Sequence, residues 1–347
     1  MKTQSIELVV QQQDAYLLSS SKVRAAADAA QAFEAVFHPG REAREVSLAL
    51  FLAADGTILG AAETGTGDQH RVVAAPVIVL QRAILLKAAR VVVAHTHPGA
   101  SLRPSKADWR STMCLQHACR RLGVRVMDHL ILRGQTYVSM NALARAHHAD
   151  VTIPMADLAR REAHVVPDVA GAGCRVTIPR VSVRVAHRPA LRDDVPDTLP
   201  TPEATAAAFV RLFAPEAAER ADERLCVFFL DHQNGVLGAG EIRDIARLSG
   251  RMLARIVCAA AILHGATGLA VAVRAGTRLA GGGEEDHGFF HLLDLGYDLG
   301  LDACGCFLFG KDAASLQRLV AVTKQRGAEA AAERFEVLSS PAGRALP

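Results

Sequence analysis

The sequence lacks any long apolar run. Its longest apolar stretches, Val72–Leu80 and Ile256–Leu263, are too short to cross a bilayer, which excludes a helical membrane anchor built from them. No apolar core of signal-peptide length follows the lysine of Met1–Glu7, so a cytoplasmic protein without membrane association is expected. Paired cysteines are missing too. The seven cysteines, at 114, 119, 174, 226, 258, 304 and 306, form no Cys-x-x-Cys pair, and an odd number in a chain this large argues against a disulfide framework. Cys304 and Cys306 alternate on a predicted strand and read as buried thiols rather than ligands. An excess of one charge is also absent. Lys and Arg total 39 against 36 Asp and Glu, a net charge of +3, and the basic residues are spread out instead of massed. Lysine occurs only at 2, 22, 87, 106, 311 and 324. Beside so much alanine, the arginine excess reads as compositional bias as readily as a nucleic-acid footprint, so charge alone indicates no partner.

What is present suits a soluble α/β protein. At 347 residues the chain exceeds one typical domain, and 50% hydrophobic with 22% charged residues leaves no room for wholesale disorder. Residues 5–10 suggest a strand and the Ala-rich 22–37 a helix. Two strand-like runs, 46–53 and 57–63, flank Ala54-Asp55-Gly56, a hairpin signal. A helical pattern over 77–89 leads into the β-branched run Val91–Ala94. Beyond it, 105–122 reads as a helix stopped by Gly123, and 124–132 with 136–138 as a closing hairpin around Arg133-Gly134-Gln135.

The chemistry gathers at the end of that buried run. His95 and His97, two residues apart on a strand, project from one side of it and can chelate one ion. Pro98, Gly99 and Pro104 force a loop, after which Ser105 and Asp108 have the spacing of a helix N-cap and a first-turn acid. The loop can bring Asp108 back over the strand end. Two neutral imidazoles and a carboxylate are a common ligand set for catalytic zinc, which keeps a fourth position for water. Asp128 and His129 read as hydrogen-bonding groups without a catalytic role, and His117, His147 and His148 carry no motif.

The second half repeats the first. One constant offset takes Glu45 and the strand after it to Glu223 and its strand, Asp55-Gly56 to Gln233-Asn234, the run 91–94 to Leu269–Ala272, and Asp108 to Asp286. Leu122-Gly123-Val124 corresponds to Leu299-Gly300-Leu301 after a slip of one residue. The expected layout is a domain at 1–141, a linker at 142–174 with one helix at Met155–Ala163, a second domain at 175–312 and a helical then frayed tail at 313–347.

His95-Thr-His97-Pro, Ser105-Lys-Ala-Asp108 and Asp128-His129-Leu-Ile, with Glu45 upstream at a strand start, resemble the JAB/MPN (JAMM) zinc metalloprotease superfamily, most closely its bacterial RadC-like branch. The likeness covers roughly residues 40–140. It implies two tandem JAB/MPN-like domains, each a mixed β-sheet flanked by helices, the second degenerate and paired with the first. It further implies zinc on His95, His97 and Asp108, Glu45 as the base that moves the proton of the attacking water, and Ser105 as a donor to the oxyanion. The implied reaction is hydrolysis of amide or isopeptide bonds in a protein or peptide. Outside the family pattern, Glu45 reads as a solvated strand-edge residue and Ser105 as an N-cap, a role compatible with catalysis.

Thr96 stands where the branch usually has Asn, and Gly99-Ala100 where it has Ser-Gly. In the second half Val273 and Ala275 take the histidine positions and Gly283 that of the serine, while Glu223 and Asp286 persist. Asp286, His287 and His291 read as solvated helix residues sooner than as another metal site. The rival reading is a non-enzymatic, DNA-associated interaction module whose zinc is structural.

Overall fold

The computed structural model describes residues 2–39, 45–66, 76–97, 101–149, 152–169, 173–189, 195–217, 224–243, 245, 248–274, 288–309, 316–324 and 331–338. The chain divides into two compact units, Glu7–Arg184 on one side and Met1–Ile6 with Val185–Pro347 on the other. Among the described residues no helix is long and apolar enough to cross a membrane, which says nothing of strands.

The first stretch of chain runs β1 (Lys2–Leu18), α1 (Ala26–Phe37), β2 (Val46–Leu52), β3 (Ile58–Thr66), α2 (Pro76–Leu85), β4 (Arg90–Thr96), α3 (Lys106–Arg121), β5 (Arg125–Arg133) and β6 (Thr136–Ser139). It continues through α4 (Met140–Ala149), α5 (Met155–Arg161), β7 (His164–Val165) and β8 (Cys174–Pro189). The strands form one mixed sheet in the order β1-β8-β3-β2-β4-β5-β6-β7. Strand β2, Val-Ser-Leu-Ala-Leu-Phe-Leu, is buried along its whole length, as its near-continuous apolar sequence requires of a central strand covered on both faces. It pairs antiparallel with β3 and with β4, whereas β4 and β5 are parallel and need α3 as their crossover.

Helix α1 buries Ala29, Ala30, Phe33 and Val36 in a cluster with Leu48, Leu50, Val92 and Leu130 of the sheet. Full burial of side chains such as Phe33 and Leu50 stabilises the fold by about 1.5–3 kcal/mol each. Helix α3 turns Thr112, Leu115, Ala118 and Cys119 inwards and packs on β5.

The β2–β3 turn is closed by Ala53 N–H donating to Thr57 O at 2.9 Å, and it uses Gly56 at φ +92°. A Cβ there would lie 2.7 Å from the Val23 carbonyl oxygen, the neighbour whose N–H donates to Gly56 O at 2.9 Å. Gly56→Ala is therefore expected to destabilise the chain by about 1–3 kcal/mol, read as a lower denaturant midpoint at unchanged slope. An unchanged midpoint would show that this turn yields at no cost.

Three parts of the expected layout are corrected. The segment expected to be a linker does carry the helix expected in it, α5 at Met155–Arg161, but Leu158 and Ala159 of that helix are buried with Val138 and Leu143, and the segment adds β7, paired with β6. Residues 175–187, expected to open a second domain, belong to β8, which pairs with β3 at Ala61 and Arg180 and so completes the first sheet. The division falls at Arg184, not at 141 or 174. The tail differs as well: where a helix was expected, Leu316–Lys324 and Ala331–Leu338 are paired antiparallel strands. Pairing satisfies both backbones and outweighs local propensity.

The second unit runs α6 (Pro202–Ala217), β9 (Arg224–Leu230), β10 (Val236–Arg243), α7 (Gly250–His264), β11 (Gly268–Arg274), α8 (Gly288–Asp298), β12 (Asp302–Phe309), β13 (Leu316–Lys324) and β14 (Ala331–Leu338). Its sheet order is β10-β9-β11-β12-β13-β14. The first five strands repeat the sequence order, neighbours and directions of β3-β2-β4-β5-β6: β9 is antiparallel to β10 and β11, β11 is parallel to β12, and β12 is antiparallel to β13.

The correspondence extends to single bonds. Asp231 N–H donates to Gly235 O as Ala53 N–H does to Thr57 O, and Thr267 N–H donates to Leu230 O as Ala89 N–H does to Leu52 O. Asn234 has the positive φ of Gly56, and Gly265 that of Lys87. Asn tolerates the left-handed region where most residues do not.

Candidate metal centre

Strand β4 emerges from the core at its C-terminal end carrying His95, which is 3% exposed. His97 follows where the strand ends, and its N–H still donates to Leu132 O of β5 at 2.8 Å. Helix α3 then starts beside the pair. Ser105 Oγ accepts from Asp108 N–H at 3.1 Å and Ser105 N–H donates to Asp108 Oδ2 at 2.6 Å, a capping box that fixes both residues. The same carboxylate reaches the histidines, with Oδ1 at 3.4 Å from His95 Nε2 and Oδ2 at 3.9 Å from His97 Nε2.

The two Nε2 atoms stand 2.9 Å apart. His97 Nδ1 lies 2.8 Å from the Ser101 carbonyl oxygen, which can only accept, so Nδ1 carries the proton and a neutral His97 presents a lone pair at Nε2. Burial pushes the His95 pKa down against the pull of the Asp108 carboxylate, and it pushes that of His129 down as well. Neutral imidazole is the form that binds metal.

One donor atom each from His95, His97 and Asp108 lies within 4.8 Å of the others, and the cluster could hold a metal ion. Tetrahedral ligands held about 2.1 Å from an ion stand about 3.4 Å apart. The observed 2.9, 3.4 and 3.9 Å straddle that separation. The three residues therefore fit a small divalent cation in both donor type and spacing.

Glu45 immediately precedes β2 and is half-buried. Ser47 pairs with His95, and carrying this antiparallel register outwards by two residues sets Glu45 across from His97. Opposed residues share a face, so this extension of the register would put Glu45 on the face of the two histidines. Val46 N–H donates to Thr96 Oγ1 at 2.8 Å, which ties this edge of β2 to the residue between them. Thr96, a departure from the family pattern, thus has a structural use. Ser105 Oγ spends a lone pair on Asp108 N–H and keeps its hydroxyl proton for another acceptor.

Asp128 faces the other way. Its carboxylate accepts from Ser139 Oγ at 2.6 Å and from the N–H groups of His129 and Asn141 at 2.8 and 3.3 Å. It borders a 380 Å³ cavity lined also by Arg24, Tyr137, Ser139 and Arg145. Its neighbour on β5, His129, points into the metal cluster, with Nε2 2.8 Å from His95 Nδ1 and Nδ1 2.6 Å from Thr112 Oγ1. Sequence reasoning assigned neither Thr112 nor His129 to the site. The available signal was the alternation of β5, which separates His129 from Asp128, whereas the parallel register that sets His129 beside Val93 is a property of the fold.

Of the residues in the second half, Val273 is buried in β11 and offers no ligand atom. Glu223, Ala275, Gly283, Asp286 and His287 lie outside the described residues, and His291 is on α8.

Comparison with known proteins finds a family match within the first unit. A family model described as "RadC-like JAB domain" matches residues 23–146. A UPF0758 protein of Burkholderia mallei (strain SAVP1) and one of Burkholderia pseudomallei (strain 668) are each 37% identical to the chain over 93 residues, 27% of this chain and 34% of theirs. The chain thus spans about a third of the length of the relatives it matches. Residues 23–146 are a RadC-like JAB domain, a member of the JAB/MPN superfamily.

Proposed function

We propose that this RadC-like JAB domain is a zinc-dependent hydrolase of amide or isopeptide bonds in proteins or peptides, and that the second unit contains a degenerate copy serving as a structural or substrate-binding module. The observation that carries the proposal is the convergence of His95 Nε2, His97 Nε2 and the Asp108 carboxylate, three acceptors with at most one proton to share. One proton bridges a single pair. A divalent cation satisfies all three, and two imidazoles with one carboxylate are a set suited to zinc.

Bound zinc would supply a nucleophile from water near neutral pH and polarise the scissile carbonyl. The chain's own residues divide the remaining work. Glu45, on the face of the ligands, takes the proton of the attacking water on its carboxylate and passes it to the leaving nitrogen. Ser105 holds its hydroxyl proton ready for the oxyanion, while its lone pair keeps the first turn of α3, and hence Asp108, in position.

The degenerate copy is supported by the shared strand order, directions and turn bonds of the two sheets. The constant offset carries His95 to the buried Val273, which offers no imidazole, as expected of a copy that no longer binds metal.

Hydrolysis is tested on the purified full chain with fluorogenic peptide and isopeptide-linked substrates. Turnover that disappears with 1,10-phenanthroline and returns with added zinc is expected. A chain that holds zinc but cleaves neither class of bond would favour the non-enzymatic reading.

A further inference from the structure

We infer that Thr112 and His129 are positioning residues, a directed hydrogen-bond chain that puts the His95 proton on Nδ1 and turns its Nε2 lone pair towards His97 and Asp108. The inference rests on the reading of His95, His97 and Asp108 as metal ligands.

The direction of the chain follows from its first link. Thr112 sits one turn after Asp108 in α3, is 4% exposed, and its Oγ1 lies 2.6 Å from the Asp108 main-chain oxygen. A carbonyl oxygen only accepts, so the single hydroxyl proton of Thr112 is committed there. The other candidate acceptor, Met140 Sδ at 3.6 Å, is weaker and farther. Having spent its proton, Thr112 Oγ1 can only accept from His129 Nδ1, 2.6 Å away. That places the proton of a neutral His129 ring on Nδ1 and leaves a lone pair on Nε2. His129 Nε2 must then accept from His95 Nδ1 at 2.8 Å, and the second nitrogen of His95 is left bare.

Every link is buried: His129 is 8% exposed and His95 3%. Water therefore does not readily replace a missing partner, and a broken link leaves an orphaned polar group. The circuit also begins and ends on ligands, since the carbonyl of Asp108 orients the imidazole that its own carboxylate faces. Ser101 does the equivalent for His97. Partners of this kind fix tautomer and ring orientation, and losing one costs about 10–100-fold in metal affinity.

The chain is tested in two ways on the full-length protein. Long-range proton–nitrogen correlation spectra of the chelator-treated, 15N-histidine-labelled protein should show both His95 and His129 as Nδ1–H tautomers. A His95 protonated on Nε2 would overturn the inference, and this arm needs no metal.

The second test is zinc competition against a chromophoric chelator. His129→Leu and Thr112→Val should bind zinc about 10–100-fold more weakly, whereas His129→Gln, which can still offer an acceptor near the Nε2 position, and Thr112→Ser should return to within a few-fold of wild type. His129→Leu binding as tightly as wild type, or His129→Gln no tighter than His129→Leu, would overturn the inference. A wild-type chain that takes up no zinc would sink the metal reading instead, and the tautomer spectrum then decides the relay by itself.

Discussion

His97→Ala is expected to empty the metal centre, taking zinc content after desalting from about one ion per chain to less than about a tenth. Zinc binding at a structural site amounts to about 10–16 kcal/mol, so one of its ligands accounts for about 3–4 kcal/mol, or about 10²–10³ in affinity. His97 is the more exposed of the two histidines, with 15% of its side chain accessible, so the truncation leaves no large buried cavity and the chain should keep its fold. Metal analysis by mass spectrometry, alongside a thermal melt, separates loss of zinc from loss of structure.

The same measurement bears on the second unit. Val273 has no donor atom, so the second unit is expected to contribute no zinc of its own. A wild-type content near two ions per chain that falls only to about one in His97→Ala would mean that the second unit has built another site, with His287 and His291 the first to replace.

Much of this centre was legible because its parts lie close together in sequence and obey local rules. Two histidines two apart on a β-branched run must share a face, and Ser105 with Asp108 announces a capping box before any fold is known. Helix α3 and strands β2, β3, β4 and β5 follow from their own periodicities. The site also depends on bonds between segments far apart in sequence, and periodicity is silent on those. His129 enters the cluster only because β5 lies parallel to β4 in one particular register, and a slip of one residue would have turned Asp128 inwards in its place.

The same limit explains the displaced domain boundary. Residues 175–187 alternate as a strand should, but alternation cannot say which sheet the strand joins, and the chain returns to β3. The constant offset between the halves compares whole sets of elements, and five strands of the second sheet share the order and directions of five in the first. At one turn the offset relates Gly56 to Asn234, two different residues that both have a positive φ.

Glu45→Gln is expected to give the largest change in activity, a fall in kcat of about 10²–10⁴ at unchanged zinc content. Gln preserves the volume and hydrogen-bonding reach of Glu but does not take up a proton at neutral pH. Under the proposed hydrolysis, what it removes is proton transfer from the attacking water to the leaving nitrogen, a step needed in the transition state and not for binding, so KM should move little while kcat collapses. The register carried from Ser47 and His95 sets Glu45 across from His97, on the ligand face but outside the cluster formed by His95, His97 and Asp108. If Glu45 were instead a fourth ligand, the variant would lose zinc together with activity, and the centre would be a closed, structural one. If it were only a solvated residue at the end of the strand, kcat would stay within about a few-fold of wild type, because surface substitutions of this kind change little. Zinc content and kcat measured on the same preparation therefore separate the three roles.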